Sequence, residues 1–223
     1  VQKVIDRIPN LVGHKVIYQH VVREARSLQV RTAIDLLIKA RLLLPVYHSH
    51  CSGIPLRANQ VDEIYKLYFL DVGLLNSLCG LEWSALSELS ERTLVNEGAL
   101  AEQYVAQHLA YRSDGREAPS LHYWMREGRS NNAEVDFVVT IGQKIVPVEV
   151  KAGKSGELRS LQQLVAHSHL KDAIRFDLNP PSLQKVRHKL TGPARGGQPV
   201  AFQLISLPLY AVEWLDAWIQ AKT

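Results

Sequence analysis

The stretch "AEVDFVVTIGQKIVPVEVKAGKS", residues 133–155, decides the fold of the second half of the chain. Two segments rich in β-branched residues flank a short break that contains Gly142. This pattern predicts two strands joined by a turn. Valine and isoleucine lie at alternating and at consecutive positions in both segments, which favours a sheet that is covered on both faces.

Charged residues interrupt this apolar stretch at positions where a covered sheet would normally carry valine. Side chains alternate between the two faces of a strand. The first strand is therefore expected to divide its residues between two faces, Glu134, Asp136 and Val138 on one and Val135, Phe137 and Val139 on the other. In the second strand Glu149 and Lys151 share a face. If the strands pair as a hairpin around Gly142, Asp136 and Glu149 come close together.

Two carboxylates held close together repel each other unless a positive charge lies between them. Hard oxygen ligands suit Mg²⁺ or Mn²⁺, which are usually held by one or two carboxylates and several waters. Lys151 would then lie near a metal-bound water, which it could orient or deprotonate, or it could offset charge on a phosphate. The alternative is a surface hairpin whose charges face solvent and form ordinary salt bridges.

The elements around this stretch predict a mixed α/β domain over residues 92–223. A helical pattern precedes it, and the chain order is helix, three strands, helix and strand, an αβββαβ core. A last strand and a closing helix follow, and in that helix Trp214 and Trp218 are spaced to pack on the core. The predicted segments are "TLVNEGALAEQYVAQHLAYR", "SLHYWMRE", "AEVDFVVT", "KIVPVEVK", "ELRSLQQLVAHSH", "DAIRFDL", "VAFQLISLP" and "LYAVEWLDAWIQ".

Residues 1–81 predict a separate winged helix-turn-helix domain, joined to the second by a polar connector at 82–91. Helical spacing in "VIYQHVVREA" and "RTAIDLLIKARLLLPVY" indicates two helices, and Ser27 is positioned to cap the second. "LLLPVYHSHCSGIPLRA" predicts a hairpin that turns around Ser52-Gly53. "KLYFLDVGLLNSLCGL" then predicts a strand and a short helix capped by Asp71.

A basic excess in this first domain favours nucleic acid as a partner. Between His14 and Gln60 there are seven lysines and arginines and two acidic residues, a local excess of five, whereas the whole chain of 223 residues carries +4. Arg26, Gln29 and Arg31 fall near the start of the presumed recognition helix, where base or phosphate contacts are usually made. Winged helices also dock proteins, so a protein partner stays open.

Other features exclude several classes of protein. No apolar run approaches the roughly 20 residues that span a bilayer, and the N-terminus lacks the pattern of a signal peptide. Cys51 and Cys79 form no disulfide framework, which suits a reducing cytosol, so we expect a soluble cytoplasmic protein without a membrane partner. His48 and His50 invite a zinc interpretation, but no second ligand pair accompanies them, and solvated loop histidines are favoured.

Asp136 followed by Glu149-Val150-Lys151 on the next strand resembles the PD-(D/E)XK nuclease superfamily. "KLYFLDVGLL", "NEGALAEQYV", "EVDFVV" and "VPVEVKAGK" more specifically resemble the C-terminal region of a large group of prokaryotic AAA-type ATPases. In that group a nucleotide-binding module precedes a winged helix and a nuclease-like domain. The resemblance runs from about Ile8 to Asn179.

This resemblance implies a metal-dependent nuclease site with Asp136 and Glu149 as metal ligands. Glu102, on the preceding helix, would position the metal or a water, and Lys151 would orient the nucleophile. ATP would bind only in a module preceding Val1, because "GKS" at 153–155 lacks the glycine that a P-loop needs five positions earlier. The alternative is a non-catalytic module that binds DNA or protein and regulates an attached ATPase.

Overall fold

A computed structural model describes residues 1–81, 97–112, 117–128, 132–154, 156–189 and 199–220. The α-helices in these ranges are α1 (Gln2–Ile5), α2 (Tyr18–Val21), α3 (Ser27–Lys39), α4 (Val72–Leu78), α5 (Glu97–Tyr111), α6 (Arg159–Ser168) and α7 (Leu215–Gln220). The strands are β1 (Leu43–Ser49), β2 (Gln60–Phe69), β3 (Leu121–Arg126), β4 (Ala133–Ile141), β5 (Lys144–Val150), β6 (Asp172–Asp177), β7 (Ser182–Lys189) and β8 (Pro199–Pro208). Short 3-10 helices cover Ile8–Leu11, Leu56–Asn59 and Leu209–Trp214.

Backbone contacts divide the chain into two compact units. The first unit comprises Val1–Val46 and Glu63–Pro119, and the second comprises Tyr47–Asp62 and Ser120–Thr223. The predicted connector, residues 82–91, lies outside the described residues. Within the described ranges, every helix is too short or too polar to cross a membrane.

Six strands of a mixed sheet lie wholly in the second unit, in the order β3-β4-β5-β6-β8-β7. β3, β4 and β5 are antiparallel neighbours, β5, β6 and β8 run parallel, and β7 returns antiparallel to β8. The mixed α/β class and the chain order from α5 to β6 are as predicted. β7 was not predicted, because its sequence "SLQKVRHK" contains only two apolar residues and they do not alternate with the polar ones.

The hairpin that decides the fold forms as the sequence predicts. β4 and β5 pair in register from Phe137 opposite Val148 to Ile141 opposite Lys144. The two-residue connection starts at Gly142, whose φ of +58° is a left-handed conformation that glycine adopts without steric cost. The sheet is covered on both faces at this point rather than exposed to solvent, since the consecutive residues Val148, Glu149 and Val150 are all buried.

Helix α6 covers one face of this sheet. Its Leu161, Leu164 and Val165 are buried in a cluster with residues from β3, β4, β6 and β8, including Ala173 and Leu204. Three leucines or valines at spacings of three and four form the apolar stripe of an amphipathic helix. Burying that stripe fixes α6 over the strands whose carboxyl ends carry the charges discussed below.

In the first unit, helix α5 is tied to β2 and to the start of α4 by polar side chains. The amide of Gln103 accepts from the Phe69 N–H at 2.8 Å and donates to the Phe69 carbonyl at 2.7 Å. Gln107 accepts from the Val72 N–H at 2.8 Å. α4 itself begins at the predicted cap, because the Asp71 carboxylate accepts from the Leu74 N–H at 3.1 Å.

Several predicted details of the remaining helices are wrong. α2 has only four residues, and α3 begins at Ser27 with Arg26 as its N-cap, so Ser27 does not cap the helix. Trp214 and Trp218 are exposed, because α7 turns its other face, Leu215 and Ile219, into the core. A spacing of four residues shows which side chains share a helix face but does not show which face is buried.

Candidate functional site

A β-bulge brings Asp136 to the end of β5. The register of β3 and β4 shifts between the pairs His122–Val138 and Trp124–Val135, so β4 holds one extra residue there. The ladder between β4 and β5 runs no further than Phe137 opposite Val148. Beyond it, the Asp136 carboxylate accepts from the Val150 N–H at 2.7 Å, which places Asp136 beside the residue that follows Glu149.

The bulge corrects the predicted alternation along β4. Val135 and Val138 belong to the same core cluster under α6, although strict alternation would put them on opposite faces. An extra residue in a strand interrupts the alternation at that point, so strict alternation does not determine the face on which Asp136 lies. No local sequence signal, such as a glycine, marks this bulge.

Glu149 and Lys151 form an ion pair at the carboxyl end of β5. Lys151 Nζ lies 2.7 Å from Glu149 Oε1, and the Glu149 side chain is only 6% exposed. Gly156 closes over the lysine stem, because a Cβ added there would lie 2.7 Å from Lys151 Cδ. The structure therefore assembles Asp136, Glu149 and Lys151 at one end of the sheet, at the carboxyl ends of parallel strands where ligands commonly bind in α/β folds.

Two charged residues that the sequence reasoning missed lie on the neighbouring strand. Arg175 is the register partner of Glu149, and its Nε lies 2.7 Å from Asp177 Oδ2. Asp177 is almost fully buried, at 1% exposure. The signal that could have found them is the one already noticed in β5, two opposite charges spaced two residues apart inside an apolar strand.

The loops after β5 and β6 are fastened to each other. Asp177 Oδ1 accepts from the Asn179 N–H at 2.8 Å, and the Asn179 amide donates to the Lys154 carbonyl at 2.7 Å. The Lys151 N–H donates to the Phe176 carbonyl at 2.8 Å. These bonds hold the segment that carries Lys151 against the end of β6.

The donor set fits a hard divalent cation. Asp136, which is half-buried, and Glu149, which is buried, supply two carboxylates, the ligand class and number typical of Mg²⁺ or Mn²⁺ sites that retain waters. Among the described residues, no three histidine, cysteine or acidic side chains are grouped as a metal site. A cation here would thus rely on water or substrate oxygens for its remaining positions, and it would compete with Lys151 for Glu149.

Glu102, predicted to belong to the site, lies on α5 in the first unit. Its carboxylate accepts a 2.7 Å hydrogen bond from the Tyr68 hydroxyl. The backbone of Gly13, with φ of +79°, approaches so closely that a Cβ there would lie 2.8 Å from Glu102 Oε2. The role assigned to Glu102 stays a prediction.

The residues predicted to contact nucleic acid lie at the start of α3. Arg26, Gln29 and Arg31 are all exposed. Gln29 also has a local role, since its side-chain oxygen accepts from the Arg26 N–H at 3.3 Å. Their exposure is compatible with contacts to a ligand, which stay a prediction.

The histidines considered for zinc are not both solvated. His50 is exposed, but His48 is buried in β1, where its Nδ1 accepts from the Met125 N–H at 3.3 Å. Cys51, the residue after His50, is also buried. Its burial raises the pKa of the thiol to about 12, so the thiol stays protonated. The prediction of two loop histidines is therefore wrong for His48, because β1 continues to Ser49.

A further buried histidine, His122, stays neutral near pH 7. Its Nε2 lies 3.0 Å from the Gln60 side-chain oxygen, to which it donates in the neutral tautomer. Burial, with the nearby Arg57 charge as a second cause, lowers the pKa of His122 to about 4. This group belongs to the interior of the sheet, and no sequence pattern distinguished it.

Comparison with known proteins places two matches on the chain. Residues 97–180 match the model of a family described as a domain of unknown function (DUF4143), and residues 1–85 match another domain of unknown function (DUF8612). The first match contains Asp136, Glu149, Lys151, Arg175 and Asp177. No curated protein and no solved structure matches the chain.

Proposed function

We propose that the second unit carries a divalent-metal-dependent phosphodiesterase site that acts on nucleic acid. The observation that supports it best is the convergence of Asp136 on the backbone of the Glu149–Lys151 segment. A fold that needed only stability would gain little from burying the Glu149 carboxylate at this position, since each buried charge costs several kcal/mol unless it is compensated. A buried carboxylate with a second one bonded to the adjoining backbone supplies the ligand class that binds a hard cation.

In this proposal Asp136 and Glu149 hold Mg²⁺ or Mn²⁺. When bound, the cation would neutralise the two carboxylates and lower the pKa of a coordinated water. Lys151 Nζ lies 2.7 Å from Glu149 Oε1 and would turn toward a substrate phosphate once Glu149 binds the cation. Gly156 lies against the lysine stem, since a Cβ added there would lie 2.7 Å from Lys151 Cδ.

The finer assignment of the two regions rests on the resemblance described above. We assign residues 1–81 to a winged helix that contacts DNA through Arg26, Gln29 and Arg31, and residues 92–223 to a PD-(D/E)XK nuclease-like domain. The chain would function as the C-terminal portion of an AAA-type protein whose ATP-binding module precedes it. The exposed arginines at the start of α3 support a role in DNA contact.

Thermal unfolding with EDTA, Mg²⁺ or Mn²⁺, followed by cleavage assays on labelled DNA and RNA, tests this proposal. Wild type is expected to melt at a higher temperature with Mn²⁺, because a ligand that binds only the folded state stabilises it. Asp136→Asn is expected to lose this gain and all metal-dependent cleavage. Asp172→Asn is the matched control, since Asp172 lies at the other end of β6 in a more exposed ion pair with Lys144.

Full metal-dependent cleavage by Asp136→Asn would exclude the proposed site. Nucleic acid that is bound but remains uncut, with no metal-dependent shift in either protein, would favour a second candidate, a non-catalytic binding module. One observation favours that candidate: Glu149 is already engaged by Lys151 and Asp136 by the Val150 N–H, so the cluster is compensated without a metal.

A further inference from the structure

Four charges at the ends of β5 and β6 form a grid in which neighbours have opposite signs. Glu149 and Arg175 are register partners on parallel strands and so lie side by side on one face. The bond from the Lys151 N–H to the Phe176 carbonyl belongs to the last pair of this ladder, Val150–Phe176, and Lys151 and Asp177 are the residues that directly follow that pair on the two segments. Each acid therefore has a base two residues away along its own segment, and Glu149 also has Arg175 across the strands.

The β6 half of this grid is more buried than its β5 counterpart. The Arg175 side chain is 14% exposed and that of Asp177 1%, whereas the Lys151 side chain is 27% exposed. On the far side Arg175 pairs in register with Ser206, which is fully buried on β8. The Arg175–Asp177 pair thus lies behind the candidate site, held between β5 and β8.

We propose that Arg175 and Asp177 are positioning residues for the metal site, Arg175 for the Glu149 carboxylate and Asp177 for the Lys151 ammonium group. This inference rests on the proposed function. Without Arg175, Glu149 would lose its register partner of opposite charge and keep the 2.7 Å contact with Lys151. With Arg175 beside it, Glu149 can release Lys151 to bind a cation, and Asp177 offers the lysine a carboxylate of its own.

A purely structural role for the pair makes a different prediction. Buried ion pairs contribute little net stability and can often be replaced by apolar residues of similar volume. Groups that orient metal ligands, in contrast, typically change metal affinity by 10- to 100-fold when they are removed. A double substitution that keeps volume and removes both charges separates these two roles.

The test is Mn²⁺ binding to the purified chain, measured by electron paramagnetic resonance, together with thermal unfolding. R175M/D177L is expected to bind Mn²⁺ about tenfold or more weakly than wild type while it still unfolds cooperatively. The single variant Arg175→Lys, which retains the charge, is expected to keep most of the wild-type Mn²⁺ affinity. K144M/D172L is the matched control, because Lys144 and Asp172 pair across the same two strands at their other ends, 3.5 Å apart.

Wild-type affinity in a folded R175M/D177L protein would overturn the inference and leave the proposed function standing. An equal loss of Mn²⁺ affinity in K144M/D172L would also overturn it, since removing any ion pair between these two strands would then weaken metal binding. If wild type bound no Mn²⁺, or Asp136→Asn bound it equally well, the proposed function would fail and this inference with it. Should R175M/D177L not fold, Asp177→Asn, which can still accept from the Asn179 N–H, replaces it with the same expectation.

Discussion

The second unit buries polar side chains in two regions, and the two regions compensate for the loss of water in different ways. Around His122 and His48 the buried groups are neutral: burial lowers the pKa of His122 to about 4, and His48 accepts a backbone N–H on Nδ1. At the ends of β5 and β6 the buried groups are charged and compensate each other, as in the pairs Glu149–Lys151 and Arg175–Asp177.

This difference separates the proposed site from the interior of the sheet. His122 is neutral and its Nε2 is hydrogen-bonded to Gln60, so its burial carries no uncompensated charge. Paired charges can be rearranged when a ligand arrives, because a new cation or anion can replace either partner. The four predictions below test whether the two regions behave as a charged site and a neutral interior.

The largest effect is expected from removing one member of the buried pair. Arg175→Met leaves the Asp177 carboxylate, 1% exposed, beside an apolar side chain. The free energy of unfolding is expected to fall by about 3–5 kcal/mol, as is typical when a buried ion pair loses one partner. Urea unfolding at pH 7 measures it, and the double variant R175M/D177L is expected to recover most of the loss. A mild loss in the single variant would mean that water compensates Asp177.

The neutral region predicts a loss of stability in acid. His122 has a folded pKa of about 4 against a usual value of 6.5, so between these values the unfolded state binds a proton that the folded state does not. The contribution is therefore fully present above pH 6.5 and is lost as the pH falls toward 4. Its size is about 3 kcal/mol by linkage.

Urea unfolding of wild type and His122→Gln between pH 7 and 4 measures this contribution. The variant is expected to show a shallower decline, with His188→Gln as a control because His188 is exposed on β7. Parallel declines in wild type and His122→Gln would show that other groups cause the acid sensitivity.

The hairpin of β4 and β5 was predictable because its pattern is local: β-branched runs, a glycine in the turn and a spacing that sets the register. The charges of β5 were visible for the same reason, since Glu149 and Lys151 stand out in an apolar strand. Arg175 and Asp177 show the same pattern but acquire meaning only through the parallel register, which joins strands 26 residues apart. Sequence periodicity carries no information about that pairing.

The bulge and the buried histidines were beyond prediction for related reasons. An extra residue in β4 depends on how β3 pairs with it, so the strict alternation assumed for Asp136 could not reveal it. His48 and His122 are buried by neighbouring strands rather than by their own sequence context. The class and chain order of the core follow from local patterns, whereas the details of the candidate site follow from pairing between strands.

A smaller effect is expected at Asp136. Asp136→Asn keeps an oxygen that can accept from the Val150 N–H and removes a charge beside Glu149, so without metal its stability is expected to change by less than about 1 kcal/mol. Asp136→Leu removes the acceptor and is expected to cost about 1–3 kcal/mol more, the typical penalty for an unpaired buried N–H. Equal stabilities of the two variants, by urea unfolding with EDTA, would show that the Val150 bond has no energetic importance.

The smallest effect on stability, and the most specific for the site, is expected at Gly156. A Cβ added there would lie 2.7 Å from Lys151 Cδ, so Gly156→Ala must displace the lysine side chain, whereas a Cβ at Gly153 meets nothing within 4 Å. Because the lysine stem is flexible, the stability of Gly156→Ala is expected to fall by less than about 1 kcal/mol. Its Mn²⁺ affinity should change relative to Gly153→Ala, since the ammonium group leaves its 2.7 Å contact with Glu149. Identical Mn²⁺ binding by the two variants would mean that the position of Lys151 does not influence the carboxylates, and the charged region would then resemble the neutral one in being purely structural.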